Sequence, residues 1–399
     1  MVFKIILAIL IKSIFPGYLL SLTIPFLLSP AINGSFSRKY VICIVLVFSV
    51  LTNLISINKL KIKASMPYRA HNAFSLKNGR RYRSNINQKF TTLHGDLCEI
   101  GLFTPAEKNC LFFSGQRRTL FKTDTLGFAG IYEIDEADHI LVGDSFLANF
   151  GGDDMRNSIG ALLSLASKNK KYYQAAYPGN LTHYLERVKT LDKITFPKIL
   201  PLTFFVYEGN DLIKFKNPKR KTKETFLSIL IKHIKKSQYT PANKFLYYKY
   251  SQFKRNLLES NGGRKLVEIK TVGSDKVGFF SSYERVTNSD IARLPREIEK
   301  LKYLAKTRKV CLVFIPTKWS TYLTNLSTEE RHPILMNQFK ELKNNGVEVI
   351  DLTSTFQSYI RDNKALDKPY HLFWTDDTHW NSKGIELATS KILSLEGCY

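Results

Sequence analysis

Five short runs rich in Val, Ile, Phe, Tyr and Leu recur at residues 139–143, 172–176, 201–207, 309–315 and 347–351, and helical patterns separate most of them. Leu294 to Ala305, with apolar Ile298, Leu301, Leu304 and Ala305, is one such helix. Consecutive strands joined through helices pair in parallel, because a parallel neighbour cannot be reached by a tight turn. The alternation therefore predicts an α/β fold: a doubly wound, five-stranded parallel sheet with helices on both faces, a three-layer α/β/α sandwich. Sheets of this kind bind ligands beyond the C-terminal ends of their strands.

The residues before this domain read differently. The first acidic residue of the chain is Asp96. Ile14 to Ile32 is an uncharged apolar stretch, and Tyr40 to Asn58 is a second. Each approaches the roughly twenty residues that a spanning helix needs. Residues 1–33 also resemble a cleavable signal peptide, with Lys4 ahead of an apolar run and the small segment Ala31-Ile32-Asn33-Gly34. Residues 1–58 are read as a membrane anchor of one or two transmembrane segments, and residues 59–94, basic, polar and free of acids, as a juxtamembrane linker. Residues 95–399 form the expected catalytic domain. Lys59, Lys61 and Lys63 draw that domain toward the cytoplasm by the positive-inside rule, although long domains translocate largely regardless of flanking charge.

Residues 212–300 exceed a normal crossover and read as a helical insertion. Phe226, Leu227, Leu230, Ile231 and Ile234 recur there at helical spacing between lysine-rich flanks. Such a helix packs its apolar face on a core or lies on a membrane surface.

A net charge of +25 raises the question of nucleic acid. The lysines are spread along the chain, without zinc-finger, RNP-like or phosphate-loop patterns, so no nucleic-acid partner is expected. A basic surface beside anionic lipid or an acidic polymer accounts for the charge. Five cysteines form no CxxC and no ligand cluster, and no metal or organic cofactor is expected. Cys43 and Cys311 lie in apolar runs and read as packing residues. Cys98 and Cys110 are either a pair or two free thiols.

The chemistry-bearing residues follow the strands in order. Gly143-Asp144-Ser145 closes the first strand, Gly179 follows the second, Glu208-Gly209-Asn210-Asp211 follows the third, and Asp376-Asp377-Thr378-His379-Trp380 lies near the C-terminus. A serine needs a base to take its proton and an acid to orient that base. Ser145, His379 and a carboxylate from Asp377 or Asp376 supply those three parts, while each segment alone reads equally as a turn or a helix cap. The other seven histidines lack comparable polar company. Donors for a developing oxyanion are available from the Ser145 N–H, the Gly179 N–H and the Asn210 amide.

These four segments resemble the four blocks of the SGNH/GDSL hydrolase superfamily: Gly-Asp-Ser, an isolated Gly, Gly-x-Asn-Asp and Asp-x-x-His. The resemblance implies a flavodoxin-like SGNH fold with Ser145 as nucleophile, Gly179 and Asn210 as oxyanion donors and His379 as base. Glu208 departs from it, standing where the first Gly of the third block is usual. Asp376 matches the usual spacing of the last block. Asp377 matches the Asp-x-His-Trp form found in polysaccharide O-acetyltransferases, including those of alginate, where the motif precedes the serine instead of following it. Asp124-Thr125-Leu126-Gly127-Phe128 and Phe314-Ile315-Pro316-Thr317-Lys318 are similar to segments of membrane-anchored bacterial members. The resemblance covers residues 120–395 apart from the insertion.

The expected activity is serine-dependent acyl-ester chemistry, hydrolysis or O-acetyl transfer, on a cell-envelope glycan or related ester at a membrane. The domain would lie outside the cytoplasm at a membrane, and the sequence leaves open whether a membrane protein donates the acyl group to a transferase. The rival expectation is a catalytically silent SGNH-like envelope protein that binds a glycan or a partner.

Overall fold

The computed structural model describes residues 81–92, 95–99, 117–150, 154–167, 170–212, 267–280, 291, 294–363, 371–395 and 398. Two compact units divide the chain, Met1–Lys63 with Pro218–Arg264, and Ala64–Asn217 with Lys265–Tyr399. All described residues belong to the second unit. The candidate spans at 14–32 and 40–58 and the amphipathic stretch 226–234 lie outside the described residues. Among the described residues no helix is long and apolar enough to cross a membrane.

The strands are β1 (Asn87–Thr92), β2 (Arg117–Lys122), β3 (His139–Gly143), β4 (Tyr172–Ala176), β5 (Leu202–Tyr207), β6 (Val267–Val272), β7 (Asp275–Phe280), β8 (Val310–Ile315) and β9 (Val347–Asp351). The helices are α1 (Asp96–Glu99), α2 (Ile159–Ala166), α3 (Leu181–Thr195), α4 (Pro295–Ala305), α5 (Lys318–Tyr322), α6 (Thr328–Arg331), α7 (Pro333–Asn344), α8 (Thr353–Asn363) and α9 (Ser382–Leu393). The five predicted strands are β3, β4, β5, β8 and β9. They form one parallel sheet in the order β4-β3-β5-β8-β9.

The sheet is apolar on both faces, which explains why its strands read as continuous apolar runs. Successive side chains of a strand alternate between the faces. Leu141, Phe205, Val313 and Ile350 pack with α2, α8 and α9, whereas Ile140, Phe204, Leu312 and Val349 pack with α3, α4 and α7. Chain order reverses direction across the sheet between β3 and β5, and the crevice at such a switch point is where ligands bind. Ser145 follows one of these two strands and Asn210 the other.

Three expectations require correction. The folded domain starts before residue 95: Tyr82 is fully buried against Phe121 and Tyr177, and β1, inside the expected linker, pairs antiparallel with β2. The insertion is not wholly helical, because β6 and β7 form an antiparallel hairpin within it. Its turn is Gly273-Ser274, with Gly273 at φ +63°, where a side chain would be strained. Cys311 is more than a packing residue, since it forms a disulfide with Cys398 that ties β8 to the C-terminal end of the chain. Cys110, one half of the Cys98–Cys110 alternative, lies outside the described residues.

Candidate active site

The turn that carries Ser145 begins at the end of β3. Gly143 lies where a Cβ would come within 3.0 Å of the Leu147 and Phe205 Cβ atoms, so a side chain there would push against the core. Asp144 then turns the chain. Its carboxylate accepts from the Phe146 N–H at 2.8 Å and its carbonyl from the Ala148 N–H at 3.0 Å. This leaves Ser145 half-buried at the strand end, while Phe146 drops into the core and stacks on Tyr207 at 4.3 Å. Arg187 of α3 fastens the neighbouring strand ends by donating to the carbonyls of Gly143, Ala175 and Tyr177.

The loop bearing His379 is as firmly built. Phe373 bridges to Trp380, the Trp374 N–H donates to the His379 carbonyl at 3.2 Å, and the Asn381 N–H donates to Leu372 at 2.9 Å. Trp380 is fully buried and meets Phe146 edge-on at 5.3 Å. Asn381 then caps α9 by accepting from the Gly384 N–H at 3.0 Å. Lys318, fully buried, donates to the carbonyls of Gly278, Trp374, Thr375 and Asp377, so the β7 strand and the loop share one cation.

These elements bring Ser145, His379 and Asp377 into a single chain of hydrogen bonds. Ser145 Oγ lies 2.8 Å from His379 Nε2, and His379 Nδ1 lies 2.6 Å from Asp377 Oδ1. The geometry calls for the Nδ1–H tautomer, with Nε2 free to accept the serine proton. Asp377 also accepts from the His379 N–H at 3.1 Å. Asp376 does not face the imidazole. Its carboxylate accepts from the Gly95 N–H at 2.6 Å and pairs with Arg117, which also donates to Asp377 Oδ2 at 3.1 Å. Of the two candidate orienting acids, Asp377 is the one against His379.

The electrostatics follow from burial and pairing. Burial opposes the charge on Asp377, but the adjacent His379, its hydrogen bonds and Arg117 outweigh it and hold the carboxyl far below the usual range. Burial likewise opposes a charged His379, yet Asp377, with Asp96 and Asp144 beyond it, raises the imidazole above its ordinary value. Asp96, Asp377 and His379 offer three potential metal-ligand atoms within 4.8 Å of one another. Those atoms already bond one another, Thr378 and Arg117, and a cation there would sit beside a guanidinium. The donor set suits a proton relay better than a metal.

The expected oxyanion donors are assembled around the same strand ends. The Asn210 amide donates to the Gly179 carbonyl at 3.2 Å and to Asp211 Oδ1 at 3.1 Å, linking the segments that follow β4 and β5. Gly179 approaches His183 closely enough that a Cβ would lie 3.1 Å from the His183 Cβ. Asp211 accepts from the Tyr207 N–H at 2.8 Å, and burial followed by the nearby Asp144 drives its carboxyl well upward.

Sequence reasoning missed several supports. Glu208, at the position that departs from the block pattern, is fully buried; it accepts from the Thr317 N–H at 2.8 Å and pairs with Arg331 and His332. Arg117, Arg187 and Asp96 carry no local motif. Lys318 and Asp124 lay within segments already singled out, but without a role. Asp124 binds the Phe128 N–H at 2.7 Å and the Tyr173 hydroxyl, closing the Gly127 turn. No family model matches the chain, and no curated protein matches it.

Proposed function

We propose that the protein is a serine-dependent acyl-ester enzyme of the SGNH type, a hydrolase or O-acyltransferase acting on a cell-envelope glycan or related ester. The observation that carries this reading is the hydrogen-bonded series Ser145–His379–Asp377 at the switch point of a parallel sheet. The sheet order, two strands on one side of the switch and three on the other, supports a flavodoxin-like SGNH fold.

In this reading Ser145 Oγ attacks the acyl carbonyl as its proton passes to His379 Nε2. The carbonyl electron pair moves onto oxygen, which the Ser145 and Gly179 N–H groups and the Asn210 amide receive. For Asn210 this requires its amide to give up one of its present acceptors. Collapse breaks the bond to the leaving oxygen, which takes the proton back from His379, and leaves an acyl-serine. Water or a sugar hydroxyl then gives its proton to His379 and attacks the acyl carbon; the acyl–Oγ bond breaks and His379 returns the proton to Ser145 Oγ. Asp377 holds the Nδ1–H tautomer and stabilises the imidazolium in both halves.

The Cys311–Cys398 disulfide supports an oxidising, extracytoplasmic setting, and the apolar N-terminal stretches support a membrane anchor. The discriminating experiment uses the purified full chain with aryl acetates, with and without oligosaccharide acceptors. Turnover that disappears in folded Ser145→Ala and His379→Ala variants supports the reading, and an acceptor-dependent product assigns transfer. A folded wild-type protein that neither turns over esters nor labels with a fluorophosphonate at Ser145 favours a silent binding protein instead.

A further inference from the structure

Asp96, the first acidic residue of the chain, is buried at 4 % exposure against a loop about 280 residues further on. The turn that carries it docks on that loop through its backbone. The Gly95 N–H donates to Asp376 Oδ2 at 2.6 Å, the Asp96 N–H to Asp377 Oδ2 at 3.2 Å, and the Leu97 N–H to the Asp376 carbonyl at 3.1 Å. No side chain fits at residue 95, because a Cβ there would overlap the Asp376 carbonyl. The Asp96 carboxylate closes the contact from the other side. One oxygen accepts from the Thr378 N–H at 2.8 Å and the other from the Thr378 hydroxyl at 2.5 Å.

Thr378 is the residue between the orienting acid and the base. Asp96 itself lies 3.8 Å from His379 Nδ1, too far for a hydrogen bond. The Thr378 hydroxyl lies 3.4 Å from the same nitrogen. Asp96 thus fixes both polar groups of the residue that spaces the base from its orienting acid. We propose that Asp96 is a positioning residue of the active site: by gripping Thr378 at both its N–H and its hydroxyl, it keeps His379 aligned between Asp377 and Ser145.

The proposal rests on the catalytic reading of Ser145 and His379. The charged groups around Asp96 are Asp377, His379 and Arg117. Burial, and then the Asp377 charge, push its carboxyl up to about 7, while His379 and the Thr378 bonds pull the other way. A neutral amide is therefore a close stand-in. Asparagine can still accept from the Thr378 N–H and donate to the Thr378 hydroxyl, whereas alanine can do neither.

The test compares Asp96→Ala, Asp96→Asn and Thr378→Val in the full chain, by aryl-acetate kinetics and by the rate of fluorophosphonate labelling at Ser145. Small misplacements of a reacting group cost up to about 100-fold in rate. Asp96→Ala is expected to lower kcat and the labelling rate by ~10-fold or more with KM little changed, and Asp96→Asn to restore most of both. Thr378→Val, which removes one of the two gripping bonds, is expected to lower kcat severalfold, and it decides the matter if Asp96→Ala does not fold. Asp96→Ala at the wild-type rate, Asp96→Asn as slow as Asp96→Ala, or Thr378→Val at full kcat would each overturn the proposal. A wild type that labels but hydrolyses no ester defeats the ester reading while the labelling rates still judge Asp96. A wild type that does not label defeats both.

Discussion

Arg117 donates to Asp377 Oδ2 at 3.1 Å from a strand 260 residues earlier in the chain, and the same guanidinium pairs with Asp376. All three side chains are buried, and Trp374 lies against the cation with its ring centre 4.2 Å from the guanidinium carbon. One arginine thus compensates two adjacent carboxylates and joins the β1–β2 ribbon to the loop bearing His379.

Removing that arginine should be costly. Breaking a buried ion pair from one side leaves an unpaired buried charge and costs about 3–5 kcal/mol. Arg117→Met is expected to lose stability of that order in urea denaturation. Arg117→Lys should recover only part of it, because an ammonium cannot present a planar fork to two carboxylates. A Met variant as stable as wild type would show that the guanidinium does not hold this loop together.

The two aspartates should separate in kinetics. Asp377 faces His379 Nδ1 at 2.6 Å, and losing an acid in that place permits the wrong tautomer. Asp377→Asn is expected to lower kcat by about 10⁴-fold, the scale seen when such an acid is made an amide. Asp376→Asn should act mainly on stability, since its carboxylate engages Arg117 and the Gly95 N–H rather than His379. A loss of kcat that is large only for Asp376→Asn would reverse the assignment.

The pH dependence has a definite sign. His379 must be neutral to accept the serine proton, and its imidazole is raised above its ordinary value of 6.5 although burial works in the opposite direction. Activity should therefore be present at high pH and fall as pH drops through a midpoint above 6.5. Because Asp96, raised to about 7, titrates in the same range beside it, that midpoint belongs to the pair rather than to His379 alone. In Asp377→Asn the largest raising influence is gone and burial dominates, so the acid limb of the residual kcat/KM should move downward. An acid limb that stays in place would show that Asp377 does not set the basicity of His379.

How much of this was legible in the sequence depended on distance along the chain. The strands and the segments at Ser145, Gly179, Asn210 and His379 were readable because apolar runs and the turns that end them are local. The parallel sheet then gathers those turns at one edge, so their order was informative as well. Arg117 and Asp96 were not readable: each meets the 376–379 loop across about 260 to 280 residues, and no local spacing encodes such a contact. Glu208 looked like a defect in a motif because its partners, Arg331 and His332, lie more than 120 residues on. The β6–β7 hairpin did carry a local signal, alternation in Val267-Glu268-Ile269-Lys270 followed by Gly273-Ser274, but the basic amphipathic stretch upstream dominated the reading.

The disulfide gives a test of compartment and stability together. Cys311 and Cys398 are buried and 87 residues apart, so the bridge closes a long loop that includes β9, α9 and the His379 loop between them. Cross-linking a loop of that size stabilises by about 2–5 kcal/mol, mainly by restricting the unfolded chain. Cys311→Ser or Cys398→Ser should therefore lower Tm by roughly 5–10 °C in a domain of this size. The mass of a tryptic digest from membranes alkylated before lysis should show the two cysteines joined if the domain resides outside the cytoplasm, where disulfides persist. Two alkylated thiols in that digest would place the domain on the reducing side, and a cytoplasmic-face lipid or thioester would then replace the envelope glycan as the expected substrate.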